Sequence, residues 1–273
     1  MKQLPQPESL RQSPSFGLAD GVVILGVLAL LALIAHVGSE AMVSFVPPND
    51  SPRISLDPHN LPEYALRSTT RMFIALAASM VFTLVYGSIA AHNKRAERVL
   101  VPLLDILQSV PVLGFLSITV TGFIALFPGS LLGLEAASIF AIFTSQVWNM
   151  TFSFYQSLRT VPKELLEAAS LYRLSRWQRF TRIEAPSAAI PLLWNAMMSF
   201  GGGWFFVAAS EAISVLNQDY TLPGIGSYVA AAVAAQDLSA LGWAIVAMTA
   251  IIVLVDQLFW RPLVAWSDKF RME

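Results

Sequence analysis

The chain has 273 residues, of which 55% are hydrophobic and only 13% charged, about half the charged share of an ordinary soluble domain. A formal charge of −1 gives no footprint for nucleic acid, and the absence of cysteine excludes disulfides and thiolate metal sites. His36, His59 and His92 are widely separated, so the sequence offers neither a histidine metal cluster nor a cofactor motif.

The charges sit in short segments between long uncharged runs. That is the pattern of an all-α, multi-pass membrane protein, because a charge at the bilayer centre costs at least a few kcal/mol while the flanks tolerate it. Residues 1–20 are polar and proline-rich and read as a tail. The apolar run after them lacks a small-residue cleavage site, so it reads as a first span over 21–38, with His36 its one strongly polar side chain. Pro47, Pro48, Pro52, Pro58 and Pro62 make 39–66 an extended extramembrane loop. A second span covers 71–91 and ends in the basic turn His92 to Arg98. The third begins near Val99, holds Pro102, Asp105, Pro111 and Gly114, and is expected to kink or break around Pro111. Residues 120–134 read either as a connector or as a re-entrant piece.

A fourth span over 136–155 leads into a polar, basic segment, 157–186, and a fifth covers 188–216 with Gly201, Gly202 and Gly203 inside it. Residues 217–237 form a further loop, with a short helix that can dip into the membrane. The sixth span is 238–260, and 261–273 is a tail. That makes about six spans. Lys2, Arg11, Lys94, Arg95, Arg98, Arg159, Lys163, Arg173, Arg176, Arg179, Arg182, Arg261, Lys269 and Arg271 fall on one side; Arg53, Arg67 and Arg71 are assigned to the other. The bias towards basic cytoplasmic loops places both termini in the cytoplasm.

The 157–186 segment is the most informative. Pro162 suits a helix start, and Lys163 to Tyr172 supply good helix formers. A second helix starts at Ser175, with Gln178 three residues on in capping-box spacing. Arg176, Arg179 and Arg182 form one stripe of it, and Trp177, Phe180 and Ile183 the adjacent one, as on a helix resting at a membrane surface. From periodicity alone, an amphipathic linker fits equally well.

Glu167-Ala168-Ala169 followed by Ile183 and Pro186 resembles the signature of binding-protein-dependent ABC transporter permeases, in which Glu-Ala-Ala is followed by a glycine and then Ile-x-Leu-Pro. Two positions depart: Arg173 stands where glycine is expected and Ala185 where leucine is common. Glycine there would suit a left-handed turn, so Arg173 must tolerate strain or turn differently. The segments 102–111, 204–211 and 222–226 resemble the nitrate, sulfonate, taurine and bicarbonate branch. Within it, 171–178 and 259–266 resemble chains carrying two permease repeats in tandem. The resemblance covers about 67–270, and it implies a type I ABC importer permease fold in a bacterial inner membrane, with 21–66 as a first helix and periplasmic loop. It also implies partners: a cytoplasmic ATPase dimer, a second permease repeat or subunit, an extracytoplasmic binding protein, and membrane lipid. The loop would couple to the ATPase through Glu164, Glu167, Ala168, Ala169, Tyr172, Arg173, Ile183 and Pro186. The chain carries no catalytic motif of its own, since no lysine follows a glycine as a phosphate-binding loop requires.

Asp105, Gln108, Ser109, Pro111, Ser199 and Glu211 are candidates for the pathway or a gate. Glu211 is expected to accept bonds from a neighbouring helix terminus or hydroxyl. With Arg71 placed at a span end, no basic residue lies in the core of a span. An anion would then pass over hydroxyl, amide and backbone donors. An ion-gradient-driven secondary transporter or a channel is the alternative, and the apparent lack of buried acid–base pairs counts against it. A membrane scaffold fits the interrupted spans poorly.

Overall fold

In a computed structural model, residues 53–215 and 218–267 are described, together with single positions between 21 and 39. The tail and most of the first span and loop lie outside the described residues. Asp57 caps a single turn, Pro58–Asn60, which leads directly into α1, Leu61–His92. Pro62 sits in the first turn of α1, where its missing N–H costs nothing, and Glu63 suits the positive end of the helix. The second span therefore starts ten residues before its expected limit. Proline clusters there read as loop, whereas Pro62 is a helix start.

Asn93 is extended and accepts from the amides of Arg95 and Ala96, ending α1 and opening α2, Lys94–Ser109. Val110 is extended, as a residue before proline prefers, and Pro111 caps α3, Val112–Leu126. The chain does break at Pro111. Residues 120–126 are helical, and only 127–131 form a turn, with Gly129 at φ 74°. Next come α4, Leu132–Arg159, and the short α5, Lys163–Leu171. Then α6 runs unbroken over Arg176–Glu211, with one π turn at Phe180–Glu184. A hairpin follows, β1 Ala212–Val215 antiparallel to β2 Gln218–Thr221, with Ala212 opposite Thr221. It corrects the all-α expectation in an otherwise helical protein. The apolar β1 continues the hydropathy of α6, so composition could not separate them. The chain ends in α7, Ile225–Ala234, and α8, Leu238–Ser267, which has a π turn at Asp256–Trp260.

Among the described residues, three helices are long and apolar enough to cross a membrane: α1, α6 and α8. α4 packs between α1 and α6 as the central element. Their shared core holds Met72, Phe73, Ile142, Met150, Phe154, Phe200, Trp204 and Trp260. In lipid such contacts act through close packing rather than through hydrophobic transfer, so small residues matter. A Cβ on Gly87 would lie 2.7 Å from Phe154, and one on Gly203 would lie 3.1 Å from Gln146 and Met72. Gly201 and Gly202 meet nothing within the described chain, so only the third glycine of the triplet serves this packing. A second cluster joins Leu116 and Val120 of α3, Leu134 of α4, Ile213 and Tyr220 of the hairpin, and Leu222 just after it.

Candidate functional site

The Glu-Ala-Ala segment forms α5, a nine-residue helix that stands clear of the helical core. Ala169 is buried, while Leu171 and Tyr172 are 81% and 78% exposed. Glu164, Glu167, Ala168, Ser170, Leu171 and Arg173 line an open hollow on its outer side. The helix ends in a Schellman turn: the Arg173 amide donates to Ser170 O and the Leu174 amide to Ala169 O. Arg173 takes φ 52°, the left-handed conformation that favours glycine. Arginine tolerates the turn rather than changing it.

The second helix opens with a complete capping box, Ser175 accepting from the Gln178 amide and Gln178 returning a bond to Ser175 N–H. Trp177 stacks on Phe180 at 6.0 Å between ring centroids. The segment is tied to both neighbouring helices. Glu184 is buried and accepts from Arg179 Nε at 2.6 Å, and His92 Nε2 at the end of α1 lies 3.0 Å from the same carboxylate. Across the way, Glu97 of α2 accepts from Tyr155 Oη and lies 3.5 Å from Arg159 Nε at the end of α4. Ile183 and Pro186 are half-buried in the π turn and the turn after it.

A second constellation lies at the other end of the core. Arg71 is fully buried and grips Glu135 of α4 with two bonds, Nε to Oε2 at 2.6 Å and Nη2 to Oε1 at 2.7 Å. Its Nη1 donates to Glu211 Oε1 at 2.6 Å and to Pro223 O at 3.0 Å. Glu211, also fully buried, accepts from Ser68 Oγ at 2.6 Å and from the Gly226 amide at 2.8 Å, at the start of α7. The backbone of 222–226 must come very close for this. A Cβ on Gly224 would sit 2.3 Å from Glu211 Oε2, and one on Gly226 would sit 2.6 Å from Ala208 Cα. One guanidinium thus joins α1, α4, α6 and the segment before α7.

This network corrects the sequence reading twice. Arg71 is neither at a span end nor in an outer loop, because α1 begins at Leu61 and places it nearly three turns inside. Buried acid–base pairing therefore exists, and its supposed lack cannot argue against a secondary transporter. Glu135 was not among the expected functional residues. The available signal was a lone carboxylate in an apolar run, 131–142.

The remaining pathway candidates separate into two places. Asp105, Gln108 and Ser109 lie together and exposed on α2, where Gln108 Nε2 donates to Asp105 Oδ1 at 2.6 Å and Ser109 Oγ to Asp105 O at 2.8 Å. Pro111 caps the next helix. Ser199 is buried within α6, and among the described residues its hydroxyl, like both polar atoms of buried Gln146, has no hydrogen-bond partner. Among the described residues, no group of three His, Asp or Glu side chains is gathered as a metal site.

The family model for binding-protein-dependent transport system inner membrane components matches residues 83–261, which include the α5 loop, Glu135 and Glu211. This chain belongs to that family. The permease is 24% identical over 147 residues to the nitrate import permease protein NrtB of Synechocystis, covering 54% of this chain and 50% of that one. It is 22% identical over 206 residues to the bicarbonate transport system permease protein CmpB of Synechococcus elongatus, covering 75% and 67%. To the taurine transport system permease protein TauC of Escherichia coli it is 24% identical over 194 residues, covering 70% and 65%. The permease thus spans only half the length of its nitrate relative. Its fold matches a chain of the MetNI methionine ABC transporter, solved facing inward, with a TM-score of 0.63 at 15% identity, covering 78% of this chain and 99% of that one. As a family member it is a multi-pass inner membrane component.

Proposed function

We propose that this permease forms half of the translocation pathway of an ATP-driven importer, with α5 as the helix that docks on a separate ATPase subunit. The observation that carries this reading is the build of α5. A short exposed helix ends in a fixed turn, and the chain on either side of it is tied down, Arg159 to Glu97 of α2 before it and Arg179 and Glu184 to the end of α1 after it, so a push on the helix is passed through its flanks to the membrane helices. Half-buried Ala168 is small enough for close approach, and Glu167 offers an exposed carboxylate to a donor on the partner. In this reading there are six spans, both termini lie in the cytoplasm, and an ATPase dimer, a second permease half and an extracytoplasmic binding protein complete the machine. The cargo is a small solute of the nitrate, bicarbonate or taurine kind, as the names of the relatives suggest, and an anion such as nitrate or bicarbonate is the form we propose.

Ala168→Asp and Glu167→Lys test it. Both variants should insert normally yet lose co-purification with the ATPase and stimulation of ATP turnover by loaded binding protein, because a buried unpaired charge in a helix-in-groove contact costs about 3–5 kcal/mol. Unchanged coupling in both would place the docking site elsewhere. The buried Arg71 network is the one feature an ion-coupled carrier would also use, and gradient-driven uptake by the chain without any ATPase would favour that second reading.

A further inference from the structure

A basic cavity and an apolar groove meet the same face of α1. The cavity, about 600 Å³, lies where the end of α1, the start of α2 and the start of α6 converge; His92, Lys94, Arg176, Arg179, Phe180 and Glu184 line it. Glu184 is the one carboxylate in its wall, and it is taken up by His92 and Arg179. Lys94 and Arg176 are exposed and have no carboxylate partner among the described residues, so the cavity holds uncompensated positive charge.

The groove, about 870 Å³, runs along α1 and is lined wholly by apolar surface from residues such as Ile74, Val81, Val85 and Ile89, with Leu100 and Phe143 on its flanks. From Ile74 to Ile89 it extends about 22 Å at the helical rise, longer than the roughly 15 Å of one leaflet's hydrocarbon. His92 stands seven residues after Val85 and three after Ile89, the spacing that keeps side chains on one helix face. Beside the cavity, Trp177 is 72% exposed and stacks on the cavity-lining Phe180, the place an aromatic ring takes at a membrane interface.

We propose that this face binds one anionic phospholipid, its phosphate between Lys94 and Arg176 and an acyl chain in the groove below His92. The charge selects the headgroup, and the groove's length and apolarity select a lipid over a free anion. The site borders the α5 loop, so its occupancy would set how the loop rests against α1. Only the leaflet involved depends on the proposed orientation, and binding in detergent is independent of it.

The full-length permease, purified in detergent, is titrated with phosphatidylglycerol and with phosphatidylcholine and followed by native mass spectrometry. One phosphatidylglycerol should remain bound where phosphatidylcholine is lost. The double variant K94Q/R176Q should weaken retention on the order of tenfold or more, as two interfacial basic groups imply. K94R/R176K should retain the lipid, and V85W, which fills the groove, should weaken it while leaving Lys94 and Arg176 in place. Equal retention of both lipids, or unchanged retention in K94Q/R176Q, overturns the proposal. If K94Q/R176Q loses the lipid but V85W keeps it, and inorganic phosphate competes, the cavity is an anion site and the lipid assignment is wrong. If retention vanishes once the ATPase or a second permease copy is bound, that protein is the natural occupant.

Discussion

Arg71 carries the largest electrostatic burden of any single residue described here. It is buried with two carboxylates, so its removal leaves Glu135 and Glu211 facing each other at low dielectric. Breaking such a cluster from one side costs about 3–5 kcal/mol, whereas replacing all its charges with neutral groups of similar size is often close to neutral. Arg71→Met should therefore lower the melting temperature of the purified permease sharply, and adding Glu135→Gln and Glu211→Gln should recover much of the loss. A triple variant as unstable as the single one would show that Arg71 acts by packing rather than by charge. The network was only half legible in the sequence. Glu211 stood out as an acid at a span end, but Arg71 and Glu135 are 64 residues apart, and Arg71 and Glu211 are 140 apart. Spacing along one helix says nothing about such partners.

At the scale of elements, the α5 loop was readable because its determinants are local. Pro162, the capping box of Ser175 and Gln178, and the turn at Arg173 all act within a few residues. The hairpin and the start of α1 were not. β1 shares the apolarity of the helix before it, and α1 begins among prolines whose role depends on whether they open a helix or interrupt one. Arg173 offers a measurable consequence. A non-glycine residue in the left-handed region is disfavoured by about 1–2 kcal/mol, partly offset by the greater freedom of glycine in the unfolded chain. Hydrogen exchange at the Leu174 amide, bonded to Ala169 O at 2.9 Å, should thus slow several-fold in Arg173→Gly and quicken in Arg173→Val. Identical exchange in all three proteins would mean the turn is held by contacts other than its own backbone preference.

In the proposed importer the whole molecule sits in the membrane in one orientation and faces a second permease half across a pathway, and both can be tested by single cysteines, since the sequence contains none. In the orientation proposed from the basic residues, Asp57, 57% exposed at its side chain, is expected outside, and Lys94 and Ser175 inside. An impermeant thiol reagent applied to intact cells should label a cysteine at 57 and spare those at 94 and 175; the reverse pattern would overturn the orientation. The second test follows from α2, whose only buried residue is Leu104. Its exposed residues divide by helical periodicity. Lys94, Arg98, Pro102, Asp105, Gln108 and Ser109 share one face, and Val99, Leu103, Ile106 and Val110 share another. A carboxylate facing lipid tails costs several kcal/mol, so in the proposed assembly the face around Asp105 turns to water or to a second permease half, with Lys94 at its interfacial end, and the Val99 face turns to lipid. In the assembled, reconstituted transporter, a cysteine at Gln108 should react with a polar thiol reagent, and binding protein loaded with its anion should slow that reaction in the presence of ATP. A cysteine at Ile106, 62% exposed in the isolated chain, should stay unreactive because lipid covers it. Equal labelling of the two would mean that α2 is not amphipathic in its working environment, and Gln108 and Ser109 would lose their claim to the pathway.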